Sequence, residues 1–235
     1  MIVLDLCRTD FEYRGPAHYD NRDYIQESSD ILCSYIEHPS RIIGFGDGAL
    51  SIVDKICGIN ADKIVFNPCG DYRDHKPSSK DILWIGCDPM IGAGPPDSAG
   101  DYCYWLFEYY AEKEMLIPTI KGAERIILIS ALGGIGGAFA TCFIQWLKEK
   151  NMVLERDICA FIHNQNFNVG DYRHNMAKEE LQEIRRCIKE VFVFEESSNF
   201  YQDVRVSLKN DRLLIDTMEE NDLIIADQIR DYLNK

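Results

Sequence analysis

The chain has 235 residues, of which 25 are basic and 39 acidic, giving a net charge of −14. Hydrophobic residues make up 46% and charged residues 27%, so a wholly disordered chain is excluded and one domain with an attached arm is expected. The acidic excess opposes binding to nucleic acid or to an anionic bilayer, because both need clustered Lys and Arg.

Cysteine usage and apolar runs restrict the compartment. The nine cysteines are scattered and form no C-x-x-C pair, so they predict free thiols in a reducing environment and no zinc site. The first six residues lack the basic flank and the apolar run of a secretory signal. Glycines at 133–137 break the longest apolar stretch well short of the ~20 residues that span a membrane. We therefore expect a cytoplasmic protein with no transmembrane segment.

In chain order, residues 1–40 differ in character from the rest. Residues 8–21 mix charged and aromatic side chains with glycine and proline without periodicity, which predicts an irregular arm. Apolar residues between 24 and 36 then recur at helical spacing before Pro39, which predicts an amphipathic helix. We assign 1–40 to this arm and helix and 41–235 to a single domain.

Within 41–235, short apolar runs alternate with glycine-rich turns and helical segments. This alternation is typical of an α/β domain with a Rossmann-like, mostly parallel sheet. The run at 126–129 is apolar throughout, as a strand covered by helices on both faces requires. Strands are predicted at 41–45, 64–66, 82–85, 126–130, 158–162 and 190–194, and helices at 49–57, 98–114, 137–150, 175–188 and 219–233.

Three glycine-rich turns follow predicted strands and lead into helices. Glycine lets backbone amides approach a ligand, and a helix start adds unpaired N–H groups and a positive dipole end, so phosphate is the expected ligand. A single turn of this kind is also explained by close packing of a helix against a strand. Three such turns at the carboxyl edge of one sheet favour a binding site. The candidate residues are Gly44, Gly46, Asp47 and Gly48 in the first turn, Gly92, Ala93 and Gly94 in the second, and Gly133, Gly134, Gly136 and Gly137 in the third.

The order of these turns resembles the nucleotide-binding domain of the tubulin/FtsZ superfamily. The third turn, within the segment 126–139, is similar to the G-G-G-T/S-G-T/S-G loop of that family. The first turn is similar to its G-x-G-G-x-G-x-N loop, and the second to its G-A-G-x-x-P loop. Residues 167–173 resemble its F-x-x-x-R segment, and Asn221-Asp222 resembles the N-D pair that opens its central helix. The resemblance predicts the FtsZ/tubulin type of α/β fold.

The resemblance also implies ligands and roles. It implies GTP or GDP with Mg²⁺ as cofactor, phosphate contacts from the three turns, a phosphate or ribose contact from Arg173 and a base contact from Asn221. Other interpretations stay open for single residues. The alternative for Arg173 is a surface arginine with no role in binding. Asp47 either repels phosphate or faces a metal ion. No residue is predicted to be catalytic.

Several positions depart from the family pattern. Ile135, Ala138 and Phe139 replace hydroxyl or glycine residues of the third turn, which removes side-chain donors and adds bulk. Ser51 stands where the family has Asn, and Val169 where it has a ribose-binding Glu. The chain ends inside or just beyond the predicted central helix. The loop that completes the active site of a neighbouring subunit is therefore expected to be absent, and self-completed hydrolysis with it.

Two helices carry further expectations. The predicted helix 98–114 has six aromatic residues within nine positions, which cannot all face one side of a helix. It is therefore a candidate interface with a second copy or a protein partner, or else it packs against the arm. The acidic residues Glu179, Glu180 and Glu183, with Arg185 and Arg186, predict a solvated helix face with i,i+4 pairing.

Three functional hypotheses follow. The leading one is a divergent, single-domain FtsZ/tubulin-like protein that binds a guanine nucleotide, does not complete hydrolysis by itself and acts through protein association. The alternative is a nucleotide-free scaffold or dimeric adaptor of the same fold. A third is an NAD-dependent oxidoreductase, because 44–49 reads as G-x-G-x-x-A, although Asn67-Pro68 stands where a ribose-binding acid is expected.

Overall fold

The strands that the structure describes form one parallel sheet. The computed structural model describes residues 2–5, 35–67, 81–86, 116–152, 157–164, 170–195 and 211–234. Within them the sheet has seven strands in the order β1-β4-β3-β2-β5-β6-β7, and every neighbouring pair is parallel. The strands are β1 Ile2–Asp5, β2 Ser40–Phe45, β3 Asp62–Asn67, β4 Ile82–Gly86, β5 Arg125–Ala131, β6 Asp157–Asn164 and β7 Glu190–Glu195.

Helices cover both faces of this sheet. On one face, α3 and α4 pack Phe143 and Ile184 into a core that includes Leu128 of β5. On the other face, α1 and α5 form a second core, to which β5 contributes Ile127 and Ile129. Successive residues of β5 thus enter opposite cores, which explains why its sequence is apolar throughout. The helices are α1 Gly46–Lys55, α2 Ile117–Ile120, α3 Ile135–Glu149, α4 Gly170–Cys187 and α5 Asp211–Leu233.

The predicted α/β class is confirmed, and all six predicted strands are present. The seventh, β1, was not predicted, since a four-residue run gives little periodic signal; it pairs with β4 at one edge of the sheet. The predicted helix 98–114, the second glycine turn and most of 1–40 lie outside the described residues. In the described part of the chain, no helix is long and apolar enough to cross a membrane.

The strand order places a topological switch point between β2 and β5. From β2 the chain builds β3 and β4 on one side, and β5, β6 and β7 then follow on the other side. In such sheets the connections that leave the two central strands diverge at their carboxyl ends, and ligands bind there. The first and third glycine turns follow β2 and β5, so both lie at this point.

Candidate functional site

The first and third glycine turns touch each other through their backbones. A Cβ atom placed on Gly136 would lie 2.5 Å from the carbonyl oxygen of Phe45, and one placed on Gly46 would lie 3.1 Å from the Cα of Gly136. Gly46 also has a φ of +80°, a conformation that side-chain-bearing residues rarely adopt. The loops can approach this closely only because both positions are glycine.

Two helix N-termini converge as a result. Helix α1 begins at Gly46, directly after β2, and α3 begins at Ile135, separated from the end of β5 by three residues. Their N-cap residues, Phe45 and Gly134, have no side-chain oxygen with which to satisfy the first N–H groups. Each helix contributes a partial positive charge at its start. Together they form an electropositive backbone surface suited to an anion.

Gly134 lies on the open side of this surface. A Cβ atom on Gly134 would meet nothing within 4 Å, and its φ of −146° is accessible to any residue. Gly134, Ile135 and Gly136 are all half-buried rather than enclosed. Position 134 can therefore be changed to test the surface without disturbing the fold.

Gly44 and Gly48 have packing roles. Gly44 lies inside β2, not in the turn, and a Cβ atom there would lie 3.1 Å from Ala49 Cβ and 3.2 Å from a methyl group of Val53. A Cβ atom on Gly48 would lie 3.1 Å from the Ala131 side chain. These two glycines allow α1 to pack closely on β2 and β5. Close packing was the alternative to phosphate binding for the first glycine turn.

A buried carboxylate lies against the third glycine turn. The side chain of Glu180, in α4, accepts a hydrogen bond from the Gly133 N–H at 2.7 Å, and only 6% of the residue is exposed. A Cβ atom on Gly137 would overlap this carboxylate, so Gly137 makes room for it. Burial raises the pKa of Glu180 to about 7; the Gly133 hydrogen bond opposes the rise, and the nearby charge of Glu179 adds to it.

The prediction of a solvated acidic face on this helix is therefore wrong for Glu180. Glu179 is exposed, and Glu183 forms an ion pair with Arg186 at 2.8 Å, as expected for a surface. Glu180, however, lies three residues after Ala177 and four before Ile184, and both of these are buried. That spacing places it on the packed stripe of α4. The helical spacing of Ala177, Glu180 and Ile184 thus indicates burial of Glu180. The charged neighbours of Glu180 favoured a surface position instead.

Arg173 lies in the first turn of α4, beside the third glycine turn. A Cβ atom on Gly133 would lie 2.9 Å from the Arg173 carbonyl oxygen, and Gly133 has a φ of +76°. The Arg173 side chain is exposed. The structure thus brings the backbone of Arg173 to the loop predicted to bind phosphate. Phe167 and Val169, from the same predicted segment, lie outside the described residues, as do Gly92, Ala93 and Gly94.

Asp47 is exposed in the first turn of α1. An acid at this position interacts favourably with the helix dipole. It therefore has a structural explanation that needs no metal ion. Among the described ranges, no group of three or more His, Cys, Asp or Glu side chains is arranged to hold a metal.

Polar residues of α1 and α5 meet where the resemblance implies a base. The Ser51 hydroxyl donates a hydrogen bond to Asp222, and the Lys55 Nζ lies 3.2 Å from Ser51 Oγ and 3.6 Å from Asp222 Oδ2. Asp222 is only 8% exposed, and Asn221 beside it is half-buried. Ser51 is therefore a neighbour in space of the N-D pair at 221–222, which the resemblance links to the base.

The expectation that Asn221 opens the central helix is wrong. Helix α5 begins at Asp211, ten residues earlier, which at ~1.5 Å per residue places Asn221 about 15 Å along its axis. The apolar periodicity that predicted a start at 219 includes Ile225, Ala226 and Ile229, which lie in the core. Residues 211–218 belong to the same helix.

The Ser51–Lys55–Asp222 cluster should hold α5 on α1. We expect Asp222→Ala to lower the free energy of unfolding by about 1–2 kcal/mol, because the Ser51 hydroxyl and the Lys55 ammonium lose their acceptor. Urea denaturation measures this change. Asp227→Ala, which removes an exposed ion pair with Arg230 on the same helix, is the control and should cost less than ~0.5 kcal/mol. Equal effects of the two substitutions would contradict the role of the cluster.

No protein-family profile and no curated protein sequence matches this chain. Solved structures do match its fold. CetZ from Methanosaeta thermophila strain DSM 6194 is 14% identical with a TM-score of 0.59, over 83% of this chain and 54% of that one. The empty FtsZ dimer from M. jannaschii is 13% identical with a TM-score of 0.56, over 92% and 59%. A GTPγS-form protofilament of Bacillus thuringiensis serovar israelensis TubZ is 13% identical with a TM-score of 0.55, over 87% and 58%.

These similarities confirm the predicted type of fold. The chain has the α/β fold of the FtsZ/tubulin nucleotide-binding domain. It spans between 54% and 59% of the lengths of the three proteins. At 13–14% identity the likeness concerns architecture, so ligands and activity have to be argued from the site itself.

Proposed function

We propose that this chain binds a guanine nucleotide, with its phosphates at the paired glycine turns, and acts through protein association. The observation that carries the proposal is the backbone contact between Gly46 and Gly136, which brings two helix starts together at the switch point of the sheet. The FtsZ/tubulin type of fold supports the choice of guanine nucleotide, because one structure with that fold, a CetZ2 from Haloferax volcanii, is described as a GTPγS-bound protofilament.

Backbone amides have to supply most of the attraction for phosphate. The third turn contributes glycine N–H groups but no lysine, and Ile135 has no hydroxyl to donate. Arg173, exposed beside Gly133, is the cation proposed to reach a phosphate from α4. In this proposal Mg²⁺ arrives with the nucleotide and is coordinated chiefly by its phosphates, as is usual for that ion.

Asn221 is proposed to contact the base. It is half-buried in α5 and adjoins Asp222, whose carboxylate already accepts the Ser51 hydroxyl and faces Lys55. An amide side chain can both donate and accept, which suits the mixed donors and acceptors on the edge of guanine. Because Asp222 is engaged, discrimination between GTP and ATP depends on Asn221 more than on the acid.

Direct titration tests the proposal. Purified protein is titrated with fluorescently labelled GTP, GDP, ATP and NAD, with and without Mg²⁺. We expect GTP or GDP to bind more tightly than ATP, and Arg173→Ala to weaken binding about tenfold or more. Preference for NAD would favour the oxidoreductase hypothesis. Failure of all four nucleotides to bind would overturn the proposal.

Gly134→Asp and Gly134→Asn form a matched pair for the same titration. Both side chains fit the open space at this position and both can cap α3, so both variants should fold. Only Asp adds a negative charge to the surface. We expect Gly134→Asp to weaken nucleotide binding at least tenfold and Gly134→Asn to change it much less. Equal binding by the two variants would place the phosphates elsewhere.

Association is proposed from a different observation. Two of the similar structures are described as protofilaments, of CetZ2 and of TubZ. The aromatic segment 98–114 is the proposed contact between copies or with a protein partner. Sedimentation velocity with and without GTP measures self-association, and phosphate release in the same samples measures hydrolysis, whose absence stays a prediction from the sequence. A strictly monomeric protein at all concentrations would leave a different protein as the partner.

The nucleotide-free scaffold is kept as a second candidate because one observation favours it. The Gly133 N–H already donates its hydrogen bond to the side chain of Glu180. A loop that carries its own carboxylate can be stable without a nucleotide. Association without binding of any nucleotide would establish this candidate.

A further inference from the structure

We propose that Glu180 couples phosphate binding at the third glycine turn to the uptake of one proton, so that this site binds its nucleotide more tightly as the pH falls. The inference rests on the proposed function, since it concerns the same loop. It assigns to Glu180 a positioning and regulatory role that the resemblance to FtsZ and tubulin does not imply.

Only one oxygen of the Glu180 carboxylate has a hydrogen-bond donor among the described residues. Oε2 accepts the Gly133 N–H at 2.7 Å, one residue before the N-cap of α3. The other oxygen, Oε1, is buried and has no hydrogen-bond partner among the described residues. A buried carboxylate with one oxygen unpaired is costly when it is charged. The protonated acid avoids most of that cost.

Ionised Glu180 and the phosphates of a bound nucleotide carry charges of the same sign. The nucleotide phosphates are anions, and so is ionised Glu180, which contacts the Gly133 N–H on one side of the loop and Gly137 on the other. Two negative charges a few ångströms apart, one of them buried, repel strongly. A proton on Glu180 removes one of them while leaving Oε2 able to accept the Gly133 N–H.

Among the described residues, the charged side chain that acts on the Glu180 carboxylate is Glu179, and no cation does so. On α4 itself, the Arg173 side chain is exposed beside Gly133, and Glu179 adds a further negative charge. Other titratable side chains lie on α3, α4 and β6. Cys142 on α3 is half-buried and His163 on β6 is buried, whereas His174 and Lys178 on α4 and Lys148 and Glu149 on α3 are exposed. Lys148 lies in the last turn of α3, beside Cys187, and so at the opposite end from the loop.

The Glu180 side chain changes its protonation state near neutral pH. Burial raises the pKa of Glu180 to about 7, so that the charged and neutral forms are both populated in the apo protein. An adjacent phosphate raises this pKa further, since it disfavours the charged form. Binding above pH 7 therefore takes up a proton, and the affinity falls by up to about tenfold for each pH unit between the two pKa values.

The test measures nucleotide affinity and proton uptake together. Labelled GDP is titrated between pH 7.0 and 8.5, and calorimetry in two buffers of different ionisation heat gives the number of protons taken up. Glu180→Gln keeps an oxygen for Gly133 but carries no charge, so we expect it to bind several-fold more tightly than the wild type at pH 8 and to lose most of the pH dependence. Glu179→Gln, at the exposed neighbour, should keep the wild-type dependence.

The outcomes separate this inference from the proposed function. The terminal phosphate of the nucleotide itself titrates near pH ~6, so the difference between wild type and Glu180→Gln is the quantity compared. Binding with the same pH dependence in both proteins would overturn the role of Glu180 and leave nucleotide binding intact. If calorimetry of the wild type shows no proton uptake on nucleotide binding at pH 7.5, the proposed role of Glu180 is overturned by that result alone. Absence of nucleotide binding at every pH would instead overturn the proposed function.

Discussion

Gly136→Ala should lower the free energy of unfolding by about 2–3 kcal/mol. The added methyl group would lie 2.5 Å from the Phe45 carbonyl oxygen, closer than atoms that are not bonded can approach. Neither partner can yield cheaply, because both are backbone groups anchored by β2 and α3. Relief of the overlap requires the two glycine turns to separate. The substitution should therefore also weaken any ligand that bridges them.

Gly134→Ser, two residues away, is the control. Its side chain enters open space, and a serine at the N-cap can accept a backbone hydrogen bond at the start of α3. We expect a change within ~0.5 kcal/mol, in the stabilising direction. Thermal and urea denaturation of both variants measure the difference. If Gly136→Ala were as stable as Gly134→Ser, the close contact between the two turns would be wrong.

Glu180→Gln should stabilise the apo protein at pH 8 and have little effect at pH 4.5. The pKa of Glu180 is raised in the folded state, from 4.5 to about 7. A raised acid pKa makes a contribution to stability that is fully present below the unfolded pKa and is lost as the pH rises through the folded one. The wild type should thus lose on the order of 3 kcal/mol from this group between about pH 4.5 and pH 7.

The measurement is the difference in unfolding free energy between wild type and variant across that pH range. Subtraction removes the contributions of the other acidic residues, which both proteins share. Glu179→Gln is the matched control, since Glu179 is exposed on the same helix and makes only a minor contribution to the raised pKa of its neighbour. A difference between wild type and Glu180→Gln that did not vary with pH would show that Glu180 is not buried in the charged form at pH 8.

Much of the fold could be predicted because its strands are apolar on both faces. Runs such as 126–129 have no competing helical pattern, and glycine turns mark where they end. Edge positions gave weaker signals. Strand β1 is only four residues long, and its pairing with β4 depends on a contact some eighty positions away in the chain. Such a contact leaves no local periodicity to read.

The candidate site was predicted only in part, because glycine content shows where the turns lie but not which backbone faces each glycine. Glycine content located both turns, but it could not distinguish Gly136, which permits contact between loops, from Gly44, which permits packing of α1 on β2. That distinction depends on which backbone lies opposite each glycine. Glu180 was assigned to the surface because charge outweighed helical spacing in the interpretation of α4. The buried stripe through Ala177 and Ile184 was nevertheless present in the sequence.

The contact between Gly46 and Gly136 also has a kinetic consequence. The two residues are 136 − 46 = 90 positions apart, so they meet only after the crossovers that build β3, β4 and β5 have formed. Closing so long a segment is entropically expensive, and contacts of this kind form late and slow the folding of a chain. The junction of the two turns should therefore be among the last parts to become protected from hydrogen exchange during refolding. A ligand that binds there would report the completion of folding of the central sheet.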